Sequence, residues 1–119
     1  MNYQNATLPQ GAEKVGSTPS MTEETVAPGI LKKHLAPQGK FGYLVVEEGS
    51  LQFVWEDDAD NVLDADPEHP IVIFPERYHH VSITGKVRFR VEFYAAGGIE
   101  IADNIKKKGE RPGEDYIQT

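Results

Sequence analysis

The sequence predicts an all-β domain, a sandwich or small barrel, and three observations carry that prediction. Leu51, Phe53 and Trp55 alternate with Gln52, Val54 and Glu56, and Val87, Phe89, Val91 and Phe93 alternate with Arg88, Arg90, Glu92 and Tyr94. A period of two marks strands with one face buried. From Ile30 onward, short apolar runs are separated by turn residues at about 8–12-residue intervals, the rhythm of short antiparallel strands. A helical period shows only weakly, around Ile99, Ile101 and Ile105, before Gly109 and Pro112 stop it.

The chain has 119 residues, the size of one domain. Residues 1–25 form a polar N-terminal arm with Pro9, Gly11, Gly16 and Pro19, which is loop chemistry with one short edge strand. The barrel is expected over residues 26–96 and a tail, with a short helix, over 97–119. Within the barrel the apolar runs place strands at about 29–35, 41–48, 51–56, 71–74, 79–83 and 87–95. Glu48-Gly49-Ser50 is expected to turn a hairpin between the second and third of these. Asp57, Asp58, Asp60 and Asn61 form an acidic loop, and with Asp64 they lack the spacing of a calcium-binding EF-hand. Pro67 and Pro70 punctuate the approach to the fourth strand. The core is expected to bury Leu51, Phe53, Trp55, Phe89, Val91 and Phe93.

Composition excludes several functions. Twelve basic residues against 19 acidic ones give a net charge of −7, which repels a phosphate backbone, so nucleic acid is not an expected partner. The chain contains no cysteine, so disulfides, thiolate metal sites and cysteine nucleophiles are excluded. No apolar run approaches the ~20 residues of a membrane helix, and Met1–Val15 does not have the pattern of a secretory signal. A cytoplasmic location without membrane association is expected.

Histidine is the residue type most able to carry chemistry here. His34 ends the run Ile30-Leu31-Lys32-Lys33-His34, His79 and His80 open a strand, and His69 lies in a loop where solvent exposure is expected. Neighbouring strand residues face opposite ways, so only one of His79 and His80 faces the interior. An inward histidine is either a hydrogen-bonded core residue or a ligand. No phosphate-binding glycine loop and no nucleophile elbow is present.

Gly39-Lys40-Phe41-Gly42-Tyr43-Leu44-Val45-Val46-Glu47-Glu48-Gly49-Ser50-Leu51 resembles the first cupin motif, and Phe74-Pro75-Glu76-Arg77-Tyr78-His79-His80-Val81 resembles the second. Three further segments narrow the likeness: Ser17-Thr18-Pro19, Val26-Ala27-Pro28-Gly29-Ile30-Leu31-Lys32-Lys33-His34, and Val87-Arg88-Phe89-Arg90-Val91-Glu92-Phe93-Tyr94. Together they resemble the TehB/YeaR-like small cupin family over roughly residues 15–95. The resemblance implies a double-stranded β-helix, a jelly-roll barrel whose interior holds a metal, and a link to tellurite resistance. Longer relatives append a methyltransferase domain, for which 119 residues leave no room, so methyl transfer is not expected.

Against the cupin pattern, His34 stands alone, with Ala36 where a second histidine would follow and Gly42 near the expected glutamate. Arg77 and Ile83 replace the usual glycine and asparagine of the second motif. What the resemblance leaves is a reduced site of His34 and His79, with Glu92 as provisional carboxylate, suited to Zn²⁺ or Fe²⁺. Glu92 shares a strand face with Arg88 and Arg90 and is equally readable as an arginine-paired surface residue. His79 is preferred to His80 from the alignment of the second motif. The expected function is a metal-binding module for a small molecule or oxyanion in a stress response. The alternative is a metal-dependent oxygenase, isomerase or hydrolase drawing on Glu47, Tyr43 or Arg90 as acid or base. A homodimer is expected, because exposed strand edges need covering.

Overall fold

A computed structural model of the chain describes residues 1–37 and 39–95. Among these residues eight strands run β1 (Glu13–Ser17), β2 (Met21–Thr22), β3 (Lys40–Gly49), β4 (Leu51–Trp55), β5 (Leu63–Ala65), β6 (Ile71–Ile73), β7 (His79–Ser82) and β8 (Val87–Ala95). One sheet has the order β1-β8-β3-β6, with β2 also on β8, and the other has the order β5-β4-β7. All pairings between these strands are antiparallel. The helix expected near Ile99–Ile105 and the rest of the tail lie outside the described residues.

The period-two pattern decides which side chains enter the space between the sheets. Gly42, Leu44 and Val46 of β3 face inward, as do Val87, Phe89, Val91 and Phe93 of β8. Leu51, Phe53 and Trp55 come to meet them from the opposite sheet. All six residues expected in the core are buried, none more than 7% exposed. Burying an aromatic or large aliphatic side chain contributes roughly 1.5–3 kcal/mol each, so these alternating runs are the main driving force of the fold.

Two expectations about local structure are corrected. The strand expected at 29–35 is a 3-10 helix, Pro28–Leu31, followed by a single β-bridge at His34. Pro28 has no N–H to give a ladder, and its fixed φ suits the first turn of a helix. The hairpin expected at Glu48-Gly49-Ser50 is instead a corner. β3 pairs with β8 and β6, whereas β4 pairs with β5 and β7, so the chain crosses there from one sheet to the other.

The corner depends on a glycine. Gly49 has φ +78°, and a Cβ at that position would stand 2.2 Å from the carbonyl oxygen of Lys86. Both the conformation and the space require hydrogen.

The polar arm is part of the barrel. β1 and β2 complete one edge of the large sheet. At the other edge the Gln4 amide acts as a substitute strand, donating from Nε2 to the Val72 carbonyl (2.9 Å) and accepting the Val72 N–H (2.7 Å). Asn2 reaches the small sheet, where its N–H donates to the Asp64 carboxylate and its carbonyl accepts the Asp64 N–H. β2 and β5, of two and three residues, are too short to have shown in the sequence pattern. No helix among the described residues is long and apolar enough to cross a membrane.

Gly49→Ala is expected to lower stability by about 3 kcal/mol, combining a strained φ with overpacking against the Lys86 carbonyl. Urea unfolding with an unchanged m value would show it as a shift in midpoint, and a wild-type midpoint would refute the corner geometry.

Candidate functional site

The two histidines singled out in the sequence, His34 and His79, are brought together. His34 and His79 exchange both backbone hydrogen bonds, at 2.9 and 3.0 Å, as one antiparallel bridge. Their rings lie side by side, with centres 4.2 Å apart and planes inclined at 63°. His79 opens β7 on its inward face, stacked on Phe53 and edge-on to Trp55. The segments leading into the two histidines are also linked, since the Lys33 ammonium sits 4.4 Å from the centre of the Tyr78 ring. Such a contact contributes about 0.5–1 kcal/mol where it is exposed.

Each imidazole is anchored in the same way. His34 Nδ1 lies 2.7 Å from the Lys32 carbonyl oxygen, and His79 Nδ1 lies 2.9 Å from that of Arg77. A carbonyl oxygen only accepts, so both Nδ1 atoms carry the proton. In the neutral ring Nε2 then keeps a lone pair, and neither Nε2 has a hydrogen-bond partner among the described residues. Burial pushes the pKa of His34 below its ordinary value. Burial, reinforced by the neighbouring His34, takes His79 down to about 3. Both rings are therefore neutral at pH 7, presenting two lone pairs.

They line a cavity of about 60 Å³ whose other walls are almost wholly apolar, including Met21, Ile30, Leu44, Ile73, Val91 and Phe93. Thr18 is the remaining polar wall residue, and its hydroxyl is occupied in holding the backbone. It donates to the Pro19 carbonyl and accepts the N–H of Val91. Ala36 and Gly42, the positions where the cupin pattern places further ligands, both face this cavity and bring no donor side chain. The space a side chain at Gly42 would need is taken by Ile73, whose Cβ and Cδ1 would lie 3.0 Å from a Cβ there.

The provisional third ligand is elsewhere. Val91 and Phe93 face the cavity, so Glu92 between them faces the outside of the large sheet. There it accepts hydrogen bonds from Arg90 (3.0 Å) and Tyr94 (2.8 Å), with Lys14 at 3.5 Å. Among the described residues no group of three or more histidines, aspartates or glutamates is placed to hold a metal. The strand period puts Glu92 with its arginine, the other reading the sequence allowed.

The remaining histidines stand apart from the cavity lining. His80 faces outward from β7 and pairs its Nδ1 with Glu56. His69, expected to be a solvent-exposed loop residue, is half-buried, stacked on Tyr3 with ring centres 3.5 Å apart and bonded to Asp66. Glu47, Tyr43 and Arg90, the acid–base candidates, also lie on the outer face, where Arg90 bridges Glu47 and Glu92. Thr18, Ala36 and Gly42 were not singled out as site residues for their own sake. The inward alternation Gly42-Leu44-Val46 was the available signal for one of them.

The two antiparallel sheets, with a cavity opening between them and His34 and His79 on its wall, define a cupin-type barrel. More narrowly, the chain belongs to the TehB-like domain family, whose match spans residues 16–91. Among solved structures it is similar to a structural-genomics protein from E. coli strain K12, at 21% identity and a TM-score of 0.72, over 87% of this chain and 100% of the other. It is similar to TehB from Haemophilus influenzae at 23% identity and a TM-score of 0.66, over 73% of this chain and 32% of that longer protein. A cupin protein from Bacteroides fragilis aligns at 14% identity and a TM-score of 0.51, over 90% of this chain and 98% of the other. These structural likenesses are of fold. Comparison with curated proteins gave no match.

The depressed histidine pKa values make a directional prediction for metal-free protein. The unfolded chain binds a proton at each position near pH 6.5, whereas folded His79 does so only near 3. The stability from keeping the ring neutral is complete above pH 6.5 and is lost progressively as pH falls from there toward 3. The expected slope is up to ~1.4 kcal/mol per pH unit for each histidine. Denaturant midpoints of chelator-treated protein between pH 7.5 and 5 check this, and His79→Met should flatten the profile. A wild-type profile already flat over that range would contradict the buried neutral pair.

Proposed function

We propose that this chain is a ligand-binding module, and that His34 and His79 hold one divalent transition-metal ion, Zn²⁺ or Fe²⁺, at the wall of the cavity. The observation that carries the proposal is the matched pair of imidazoles, each locked by a backbone carbonyl at Nδ1 and each presenting Nε2. Metal-bound histidines are commonly oriented by just such a bond from the other ring nitrogen. Imidazole nitrogen suits these borderline ions better than Mg²⁺, which prefers oxygen. Linear coordination would put the ring centres roughly 6 Å apart at ordinary Zn–N lengths. Adjacent ligands on one ion would hold them roughly 4.5–5 Å apart, so the observed 4.2 Å calls for a slight parting of the rings on binding. Two imidazoles would leave other positions for water or a bound small molecule or oxyanion.

A binding role is favoured over an enzymatic one by what else lines the cavity. Apart from the two imidazoles, no ionisable side chain of the described residues faces it, and general acid–base catalysis needs such a group within reach of the substrate. A part in a stress response, which the family resemblance implies, would rest on the same site. Self-association belongs to this reading too. The outer edge of β1 carries no partner strand among the described residues, and sedimentation at micromolar concentration decides the matter, with a clean monomer removing the dimer.

Elemental analysis of purified wild type and of folded His34→Ala, His79→Ala, His80→Ala and Glu92→Gln proteins tests the centre. Metal should be lost in the first two and retained in the last two. Loss in His80→Ala alone would move the site to the outer face of β7. Wild type that never holds metal above trace levels would make the pair a ligand-contacting or core feature.

A further inference from the structure

We infer that the cavity binds its metal ion and a small oxygen-donor anion together, each strengthening the other, because the described residues on its wall supply donors to the ion but no charge. This rests on the metal reading above. His34 and His79 contribute two uncharged nitrogens, and the remaining wall residues are apolar apart from Thr18. A divalent ion held only by them keeps its full charge inside a largely apolar cavity, a situation that costs many kcal/mol unless a counter-charge accompanies it.

No carboxylate of the described residues can provide that charge from its present place. Glu92 is on the far side of β8, paired with Arg90 and within 3.5 Å of Lys14. Glu56 is engaged by His80 on the outer face of β7, and Glu47 is held by Arg90 and Ser20. Gly42 cannot carry a side chain without displacing Ile73. With no counter-charge from the described residues, a bound anion is the source that completes the site.

The cavity also limits what that ligand is. A space of about 60 Å³ is well below the ~150 Å³ that accommodates benzene, so the anion has only a few heavy atoms. Leu44, Ile73 and Val91 on the walls favour one with an apolar end, such as a short-chain carboxylate. Without metal, the same walls offer an anion no cation and should reject it.

The test measures Zn²⁺ affinity by chelator competition in a non-coordinating buffer. Millimolar acetate is compared with perchlorate at equal ionic strength, correcting for zinc acetate in solution. Acetate should tighten Zn²⁺ binding by about tenfold or more, within the range of ordinary site–site coupling. His34→Ala should abolish this effect. Reciprocally, the methyl resonance of acetate should respond to zinc-loaded protein and not to metal-free protein.

Ala36→Asp places a carboxylate on the cavity wall, and should bind Zn²⁺ tightly without acetate and lose the acetate dependence. If that variant does not fold, the wild-type comparison stands alone as the decisive measurement. Equal Zn²⁺ affinity with and without acetate overturns the inference and leaves the metal centre intact. Equal tightening by neutral imidazole also overturns it, since charge would then not be the cause. No Zn²⁺ binding under any of these conditions removes the metal centre itself.

Discussion

The site depends on one backbone contact, the reciprocal pair of hydrogen bonds between His34 and His79. Residues 32–37 belong to no strand, and this bridge attaches them to the edge of β7. In an antiparallel pair the side chains of directly opposed residues leave the same face. Once His79 turns inward in step with Val81, His34 has to turn inward beside it. The ring-to-carbonyl bonds to Lys32 and Arg77 then settle which nitrogen is bare. The position, the facing direction and the tautomer of both imidazoles thus follow from main-chain geometry.

The turn that delivers His79 is held from several sides. Arg77 lies over the Trp55 ring at 4.2 Å and forks onto the Asp57 carboxylate, while Glu56 N–H donates to the Tyr78 carbonyl. Glu76 adopts φ 62° within the turn, a conformation unfavourable for a residue with a side chain and normally kept only where its surroundings enforce it. Arginine where the cupin pattern has glycine therefore acquires a local role. It packs its guanidinium over the Trp55 ring, which also meets His79, Phe53 and Phe74, and so couples the surface of the turn to the wall of the cavity.

Legibility in the sequence followed the strength of the period. β8 reads correctly over its whole length because inward aliphatic and aromatic residues alternate with outward arginines, and the same pattern marks Leu51–Trp55. β5 and β2 are too short for a period to exist, and their strand character comes from partners distant in sequence. Pairing was the harder part. Glu48-Gly49-Ser50 has hairpin composition, but a glycine at positive φ serves a corner between sheets as well as a tight turn, and only tertiary contacts distinguish them. At the site, strand alternation correctly separated His79 from His80. The same rule argued against Glu92 facing the interior, and the structure resolves that tension in favour of alternation. The absence of donors at Ala36 and Gly42 was visible in the sequence, although the filling of Gly42's space by Ile73 was not.

The two faces of β8 show how one strand keeps charge and cavity apart. Toward the interior it presents Val87, Phe89, Val91 and Phe93. On the outside, Glu92 is only 7% exposed, yet its charge is met by Arg90, Lys14 and the Tyr94 hydroxyl. Those contacts offset the cost of burying it, and together they hold its pKa below the ordinary carboxylate value despite the burial. Tyr94 is pushed up to about 12 by burial and by the same carboxylate, so it remains a donor. Moving Glu92 into the cavity would require reversing the facing of its strand neighbours, which would expose Val91 and Phe93 and break the Thr18 hydroxyl's bond to the Val91 N–H. The interior therefore stays without a carboxylate for the same reason that the sheet holds together, and the two imidazoles remain its only strong donors among the described residues.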